Sequence, residues 1–294
     1  MTKTVLSVRD LKKSFRKGLA QKQVDVLNGI SFDIPQACIT GFLGANGAGK
    51  TTTIKCLLNL AFADSGSIRF FGDSELNGDV KSKIGFLPER PYFYEYLTGR
   101  EFLRFYGDLC AGLTKNDLKK RIDELLKRVG LEHASERPLR SYSKGMLQRI
   151  GIAQALINSP EFIILDEPMT GLDPDGRFEV REIIRETAKA GTSVFFSSHL
   201  LPDAEKICER LVILKKGHVV FQGQTEELLN RVEKGFHLVT SQNGRISTET
   251  ASSAEQLQKT IDQRRASGAL VLEVHPNRLT LEEAFVQVAM GNQS

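Results

Sequence analysis

From residue 4 onward, short runs rich in β-branched and aromatic residues alternate with stretches whose apolar positions recur every three or four residues. That alternation predicts an α/β layer architecture rather than an all-helical or all-β fold. The strand-like runs fall at 5–8, 30–34, 39–43, 67–71, 84–87, 162–165, 193–197, 210–215 and 218–222. Some, such as Phe162-Ile163-Ile164-Leu165, are apolar throughout, which suits a parallel strand covered by helices on both faces. Others near the amino terminus alternate, and predict an antiparallel sheet. Between about 98 and 158 no strand pattern occurs, so a helical insert is expected there. Within it Thr114 is a candidate N-cap, with Asp117 three residues on; Leu118, Ile122, Leu125, Leu126 and Val129 then repeat at helical spacing until Gly130. The lysines and arginines between them read as a solvated helix face.

The pattern shifts at about 230. A polar, Ser/Thr-rich stretch at 241–256 separates a strand at 236–240 from a helix at about 254–267, a strand at 269–274 and a last helix at about 280–290. The expected organisation is therefore a main domain at 1–230 and a small α/β accessory domain at 231–294.

Composition narrows the partners. Forty basic residues against 36 acidic leave a net charge of +4 over 294 residues, too mild to mark a nucleic-acid surface. Cys38, Cys56, Cys110 and Cys208 form no CxxC pair and have no histidine at metal-ligand spacing, so they read as reduced thiols. The amino-terminal MTKTVLSVRD has no signal-peptide core, and no apolar run approaches the ~20 residues of a membrane span. A cytoplasmic location is expected, and any membrane role must come from another polypeptide.

The strongest chemical signal is Gly44-Ala45-Asn46-Gly47-Ala48-Gly49-Lys50-Thr51, which fits the phosphate-binding pattern GxxxxGK[ST] and sits between an apolar strand and a helical pattern. Glycines there let backbone N–H groups converge on phosphate oxygens, and the following helix start favours the same anion. Nucleotide contacts are expected from Gly44, Asn46, Gly47, Ala48, Gly49, Lys50, Thr51 and Thr52, with Lys50 between the β- and γ-phosphates and the Thr51 hydroxyl on Mg²⁺. At the end of the run 162–165, Asp166 would hold Mg²⁺ directly or through water, and Glu167 would activate the attacking water. These two motifs alone indicate a P-loop nucleoside triphosphatase with Mg²⁺, a class that includes kinases, GTPases, helicases and transporters.

A third motif narrows the class. Tyr142-Ser143-Lys144-Gly145-Met146, at a helix start about twenty residues before Asp166, resembles LSGGQ, the signature of the ATP-binding cassette (ABC) family. Tyr142, Lys144 and Met146 depart from it, whereas Ser143 and Gly145, which do the binding in the family, are retained. The resemblance runs through about 4–230 and implies a RecA-like core with an amino-terminal antiparallel sheet and a helical insert. It also implies roles for single residues. Phe15 would stack on adenine, and Asp173 of Gly171-Leu172-Asp173 would link two active sites. His199 would contact the γ-phosphate as a catalytic residue beside Glu167. Glu89 stands where the family most often has glutamine, near nucleotide and metal. That glutamate resembles the export-associated branch, as does Leu279-Thr280-Leu281-Glu282-Glu283-Ala284-Phe285.

The resemblance further implies an ATPase that closes as a homodimer on two ATP molecules. It would work with separate integral membrane subunits from the cytoplasmic face of the cell membrane, with no direct nucleic-acid contact. A soluble ABC ATPase acting on ribosome or nucleic acid is the main rival, but it usually has two cassettes with a basic linker or a long coiled coil. Tyr92, Phe93, Tyr94 and Tyr96 are either internal packing or anchors for a membrane subunit's helix, and some of these rings are expected to be exposed.

Overall fold

The computed structural model describes residues 3–17, 22–72, 74–110, 114–230, 235–276 and 280–290. The chain divides into two compact units, Met1–Gly223 and Gln224–Ser294. The division precedes 230, the expected limit, and assigns the short helix after Gly223 to the smaller unit.

In the larger unit, the long strands β1 (Thr4–Lys17) and β2 (Lys22–Pro35) pair antiparallel. Next come β3 (Ile39–Leu43), α1 (Lys50–Leu57), β4 (Ser65–Phe70), α2 (Gly78–Ser82) and β5 (Ile84–Leu87). Three helices follow: α3 (Gly99–Asp108), α4 (Lys115–Arg128) and α5 (Lys144–Ala155). The unit finishes with β6 (Phe162–Leu165), α6 (Pro174–Lys189), β7 (Ser193–Ser198), α7 (Leu201–Ile207), β8 (Arg210–Lys215) and β9 (His218–Gln224).

These strands form two sheets. The antiparallel one has the order β2-β1-β4, and the central one β5-β6-β7-β3-β8-β9. Neighbours from β5 to β8 run parallel, which explains why β3 and β6 are buried along their whole length and why β6 is apolar throughout. The sheets meet across an aromatic core. Phe32 of β2 lies 5.6 Å from Phe42 of β3 and 6.1 Å from Phe195 of β7, centroid to centroid, and all three rings are buried. Each such ring contributes roughly 1.5–3 kcal/mol by leaving water. Strand β1 runs well past the expected 5–8, because register shifts beyond Val8 break the alternation on which that expectation rests.

The helical insert is capped as its sequence requires. Thr98 and Glu101 exchange hydrogen bonds in a capping box at α3; Thr114 accepts from Asp117 N at α4; Ser143 accepts from Met146 N at α5. Leu118, Ile122, Leu125 and Leu126 form the buried face of α4, and Gly130 follows it at φ 65°.

The smaller unit comprises α8 (Thr225–Asn230), β10 (Phe236–Gln242), β11 (Arg245–Ala251), α9 (Ala254–Ala266), β12 (Leu270–Pro276) and α10 (Leu281–Met290). Its sheet has the order β11-β10-β12 with antiparallel pairing. Strand β11 lies inside the stretch expected to be a polar connection. It is mostly solvent-facing, so it has no apolar alternation to reveal it; Asn243 at φ 51° and Gly244 at φ 77° form the tight turn that pairs it with β10. Of the pattern 279–285, Thr280 and Glu283 cap α10 while Leu281 and Ala284 are buried; Leu279 lies outside the described residues. Among the described residues, no helix is long and apolar enough to cross a membrane.

Candidate functional site

The loop between β3 and α1 is shaped by glycines. Gly49 sits at φ 113°, and a Cβ there would fall 2.8 Å from Leu27 Cδ2. A Cβ on Gly44 would fall 2.5 Å from the Leu214 carbonyl oxygen, so the loop packs against backbone that no side chain could approach so closely. At the start of α1, no side chain caps the free amides and no acid lies in the first turn. Such a helix start is built for an anion.

Lys50, the first residue of α1, is 6% exposed and donates to Gly44 O at 2.7 Å. Its Nζ also lies 3.2 Å from Glu167 Oε1. Behind it, Thr51 Oγ1 donates to Asp166 Oδ1 at 3.4 Å, and Ser197 Oγ donates to the same oxygen at 2.6 Å. Asp166 directly follows β6 and is buried. Burial pushes its carboxyl above the ordinary range; Glu167 and Glu89 push the same way, against hydrogen bonds from Ser197 and Thr51. A divalent cation suits this donor set, because its oxygens are hard ligands and its charge would offset the crowded acids. Thr51 and Asp166 are the residues that would hold Mg²⁺, with Glu89 on the same cleft.

Glu167 takes an unusual backbone conformation, φ 52°, held by its N–H donating to Ser197 Oγ at 2.8 Å. This turn directs its carboxylate back over Lys50. Thr170 Oγ1 donates to Oε2 at 2.9 Å, and His199 Nδ1 lies 2.8 Å from that oxygen.

The resulting cleft, about 560 Å³, brings together Asn46, Gly47, Gly49, Lys50, Thr51, Thr52, Glu89, Glu167 and His199. Gly44 and Ala48 are buried within the loop itself. Val26 and Thr170 also line the cleft and were not singled out by motif; neither they nor Ser197 has a distinctive spacing. Phe15, Ser143, Gly145 and Asp173 are not in that lining. Phe15 is exposed on β1 beneath Lys13, whose Nζ is 5.1 Å from the ring centroid. Asp173 caps α6, accepting from Gly176 N at 2.9 Å. Ser143 lies exposed at the start of α5. The adjoining Lys144 reaches Gly171 so closely that a Cβ there would lie 1.9 Å from Nζ.

Comparison with known proteins settles the family. The sequence pattern of the ABC transporter family matches residues 27–170. An ABC transporter ATP-binding protein of Nostoc is 46% identical over 249 residues, 83% of this chain and 72% of its own. The chain belongs to the ABC transporter ATP-binding proteins. The bacitracin transport ATP-binding protein BcrA of Bacillus licheniformis is 40% identical, with 79% of this chain and 73% of its own covered. A solved ATP-binding subunit of an ABC transporter superposes with a TM-score of 0.69 at 27% identity, covering 97% of this chain and 99% of its own. The chain is thus an ATP-binding ABC ATPase subunit on a P-loop α/β fold.

The aromatic segment beside Glu89 divides in two. Tyr92 and Tyr96 are 80% and 73% exposed. Phe93 packs on Phe102 at 5.4 Å, and Tyr94 meets Phe105 edge to face at 5.2 Å. The inner rings are packing and the outer ones are surface.

Proposed function

We propose that this ABC subunit hydrolyses ATP with Glu167 as general base and uses the cycle to drive export through separate membrane subunits. The observation that carries the reading is the Glu167 carboxylate, held at the cleft by Lys50, Thr170 and His199. From there it can accept the proton of a water attacking the γ-phosphorus as ADP leaves. The glycine-shaped loop and Lys50 bind the phosphates, and His199 contacts the γ-phosphate. Mg²⁺ on Thr51 and Asp166, with Glu89 adjoining, would neutralise charge on the phosphates.

Ser143 and Gly145 support a homodimer. They stand at an exposed helix start outside the cleft of their own chain, and in this reading a second copy brings them to ATP. Closure would join the two sites through the Asp173 segments, and reopening would move the membrane subunits between two states. Phe15, exposed on β1, is left to stack on adenine. Export rests on Glu89 and the sequence pattern 279–285, together with the bacitracin transport relative. The subunit would act at the cytoplasmic face of the cell membrane, where exposed Tyr92 and Tyr96 suit a partner helix.

The test is Glu167→Gln. Turnover should fall at least about 100-fold, ATP should still bind, and an ATP-bound dimer should persist in size-exclusion chromatography. Normal hydrolysis in this variant refutes the assignment of the base.

A further inference from the structure

A second cavity, about 400 Å³, opens at the end of the central sheet opposite the nucleotide cleft. It is bounded by the segments that lead into β3, β6 and β7, and by α4 of the insert. None of the residues assigned to ATP belongs to its wall.

Two arginines face this space. Arg121 and Arg128 lie two turns apart on one side of α4, and both line the cavity. Arg121 is only partly committed. One Nη donates to Leu156 O at 2.7 Å, where α5 ends; the other is 3.6 Å from the well-exposed Glu124. Its Nε is buried with no hydrogen-bond partner. The Arg128 side chain has no hydrogen bond or ion pair among the described residues. Burial pulls the Arg121 pKa downward and the Arg128 charge adds to it, against Glu124, so the two cations feel each other.

The wall does not neutralise them. Glu161, its acid, pairs with Lys83 at 3.1 Å. Ser193 Oγ, buried, accepts from Ala37 N at 2.9 Å and keeps its O–H proton to donate. Two guanidinium groups and a hydroxyl, without a free carboxylate, call for an oxyanion of charge near −2 rather than a monocarboxylate.

The geometry points to a binding site for a phosphate group between Arg121 and Arg128, separate from the ATP cleft. Phosphate carries the required charge near neutral pH, and its oxygens match paired guanidinium forks. The cavity exceeds the group itself, so the phosphate is either the free ion or part of a small monoester.

Because phosphate also suits the loop at 44–51, the test uses the full chain saturated with ADP. Inorganic phosphate, glycerol 3-phosphate and acetate are titrated calorimetrically into wild type, Arg128→Gln and Arg128→Lys. At least one phosphate compound should bind at a single saturable site. Arg128→Gln should weaken it about tenfold or more and Arg128→Lys by less, with ADP affinity and melting temperature unchanged. Tighter binding of the ester identifies a phosphorylated metabolite, and tighter binding of the free ion identifies phosphate itself. Equal phosphate affinity in wild type and Arg128→Gln, no saturable phosphate binding, or acetate binding as tightly as phosphate overturns the proposal. Arg121 is left unsubstituted because its bond to Leu156 also secures the end of α5.

Discussion

His199 Nδ1 lies 2.8 Å from Glu167 Oε2, the oxygen that also accepts from Thr170 at 2.9 Å. Lys50 holds the other carboxylate oxygen at 3.2 Å. The proposed base is therefore oriented by side chains from three segments. A hydrogen bond to a charged group contributes about 1.5–3 kcal/mol, so losing one should be visible in the rate. Thr170→Ala is expected to lower kcat about tenfold with little change in KM for ATP, and Thr170→Ser to restore it. His199→Ala should cost more, about 100-fold, since it would also remove the proposed γ-phosphate contact. An unaltered kcat in Thr170→Ala shows that this hydroxyl does not position the base.

Gly49 and Gly47 provide a second comparison. Both have positive φ, 113° and 79°, but only at Gly49 would an added Cβ meet a neighbour, Leu27 Cδ2 at 2.8 Å. Gly47→Ala therefore meets backbone strain alone, about 1–2 kcal/mol. Gly49→Ala meets strain and a clash in the phosphate loop. ATP affinity, measured with a fluorescent analogue, should fall more than tenfold in Gly49→Ala and by clearly less in Gly47→Ala. Equal losses would mean that the Leu27 contact is not what excludes a side chain.

What was legible in advance follows from what each element buries. β3 and β6 are buried along their length, so their apolar runs and the motifs that follow them stand out. β11 is solvent-facing along most of its length; its threonines and serines satisfy a sheet without an apolar pattern. The same distinction applies at the site. Lys50, Asp166 and Glu167 occur in motifs because phosphate chemistry constrains their spacing. Ser197 and Thr170 act through hydroxyls brought close only by folding, and neighbouring residues do not announce them. The exposed and packed halves of the segment from Tyr92 to Tyr96 were also inseparable by composition, since both are aromatic.

Asp64 links the loop before β4 to β1, accepting from Lys13 Nζ at 2.8 Å and from Ser14 through both its backbone N–H and its hydroxyl. The hydrogen bonds from Lys13 and Ser14 lower its pKa from 3.8 to about 2. A depressed folded-state pKa stabilises the fold fully above the unfolded value, and that contribution is lost as pH falls through the folded value. The window is therefore about pH 4 down to about pH 2. Thermal melts across it should show a shallower decline for Asp64→Asn than for wild type, from a lower starting stability. Parallel declines would show that the Lys13 and Ser14 contacts do not persist in solution.

Tyr92 and Phe93 are neighbours in sequence with opposite surroundings, and this separates folding from docking. Tyr92 is 80% exposed and touches Tyr94 edge to face at 5.7 Å, so its truncation should change stability by no more than about 0.5 kcal/mol. Phe93 packs against Phe102, and Phe93→Ala should lower the melting temperature. In the proposed complex with a membrane subunit, Tyr92→Ala combined with Tyr96→Ala should leave basal ATPase activity intact while reducing the amount of chain retained on washed membranes. Aromatic anchors at an interface commonly contribute about 2 kcal/mol or more, roughly a 30-fold loss of affinity. Retention equal to wild type would remove these two rings from the docking surface, and a fall in melting temperature as large as that of Phe93→Ala would return them to the core.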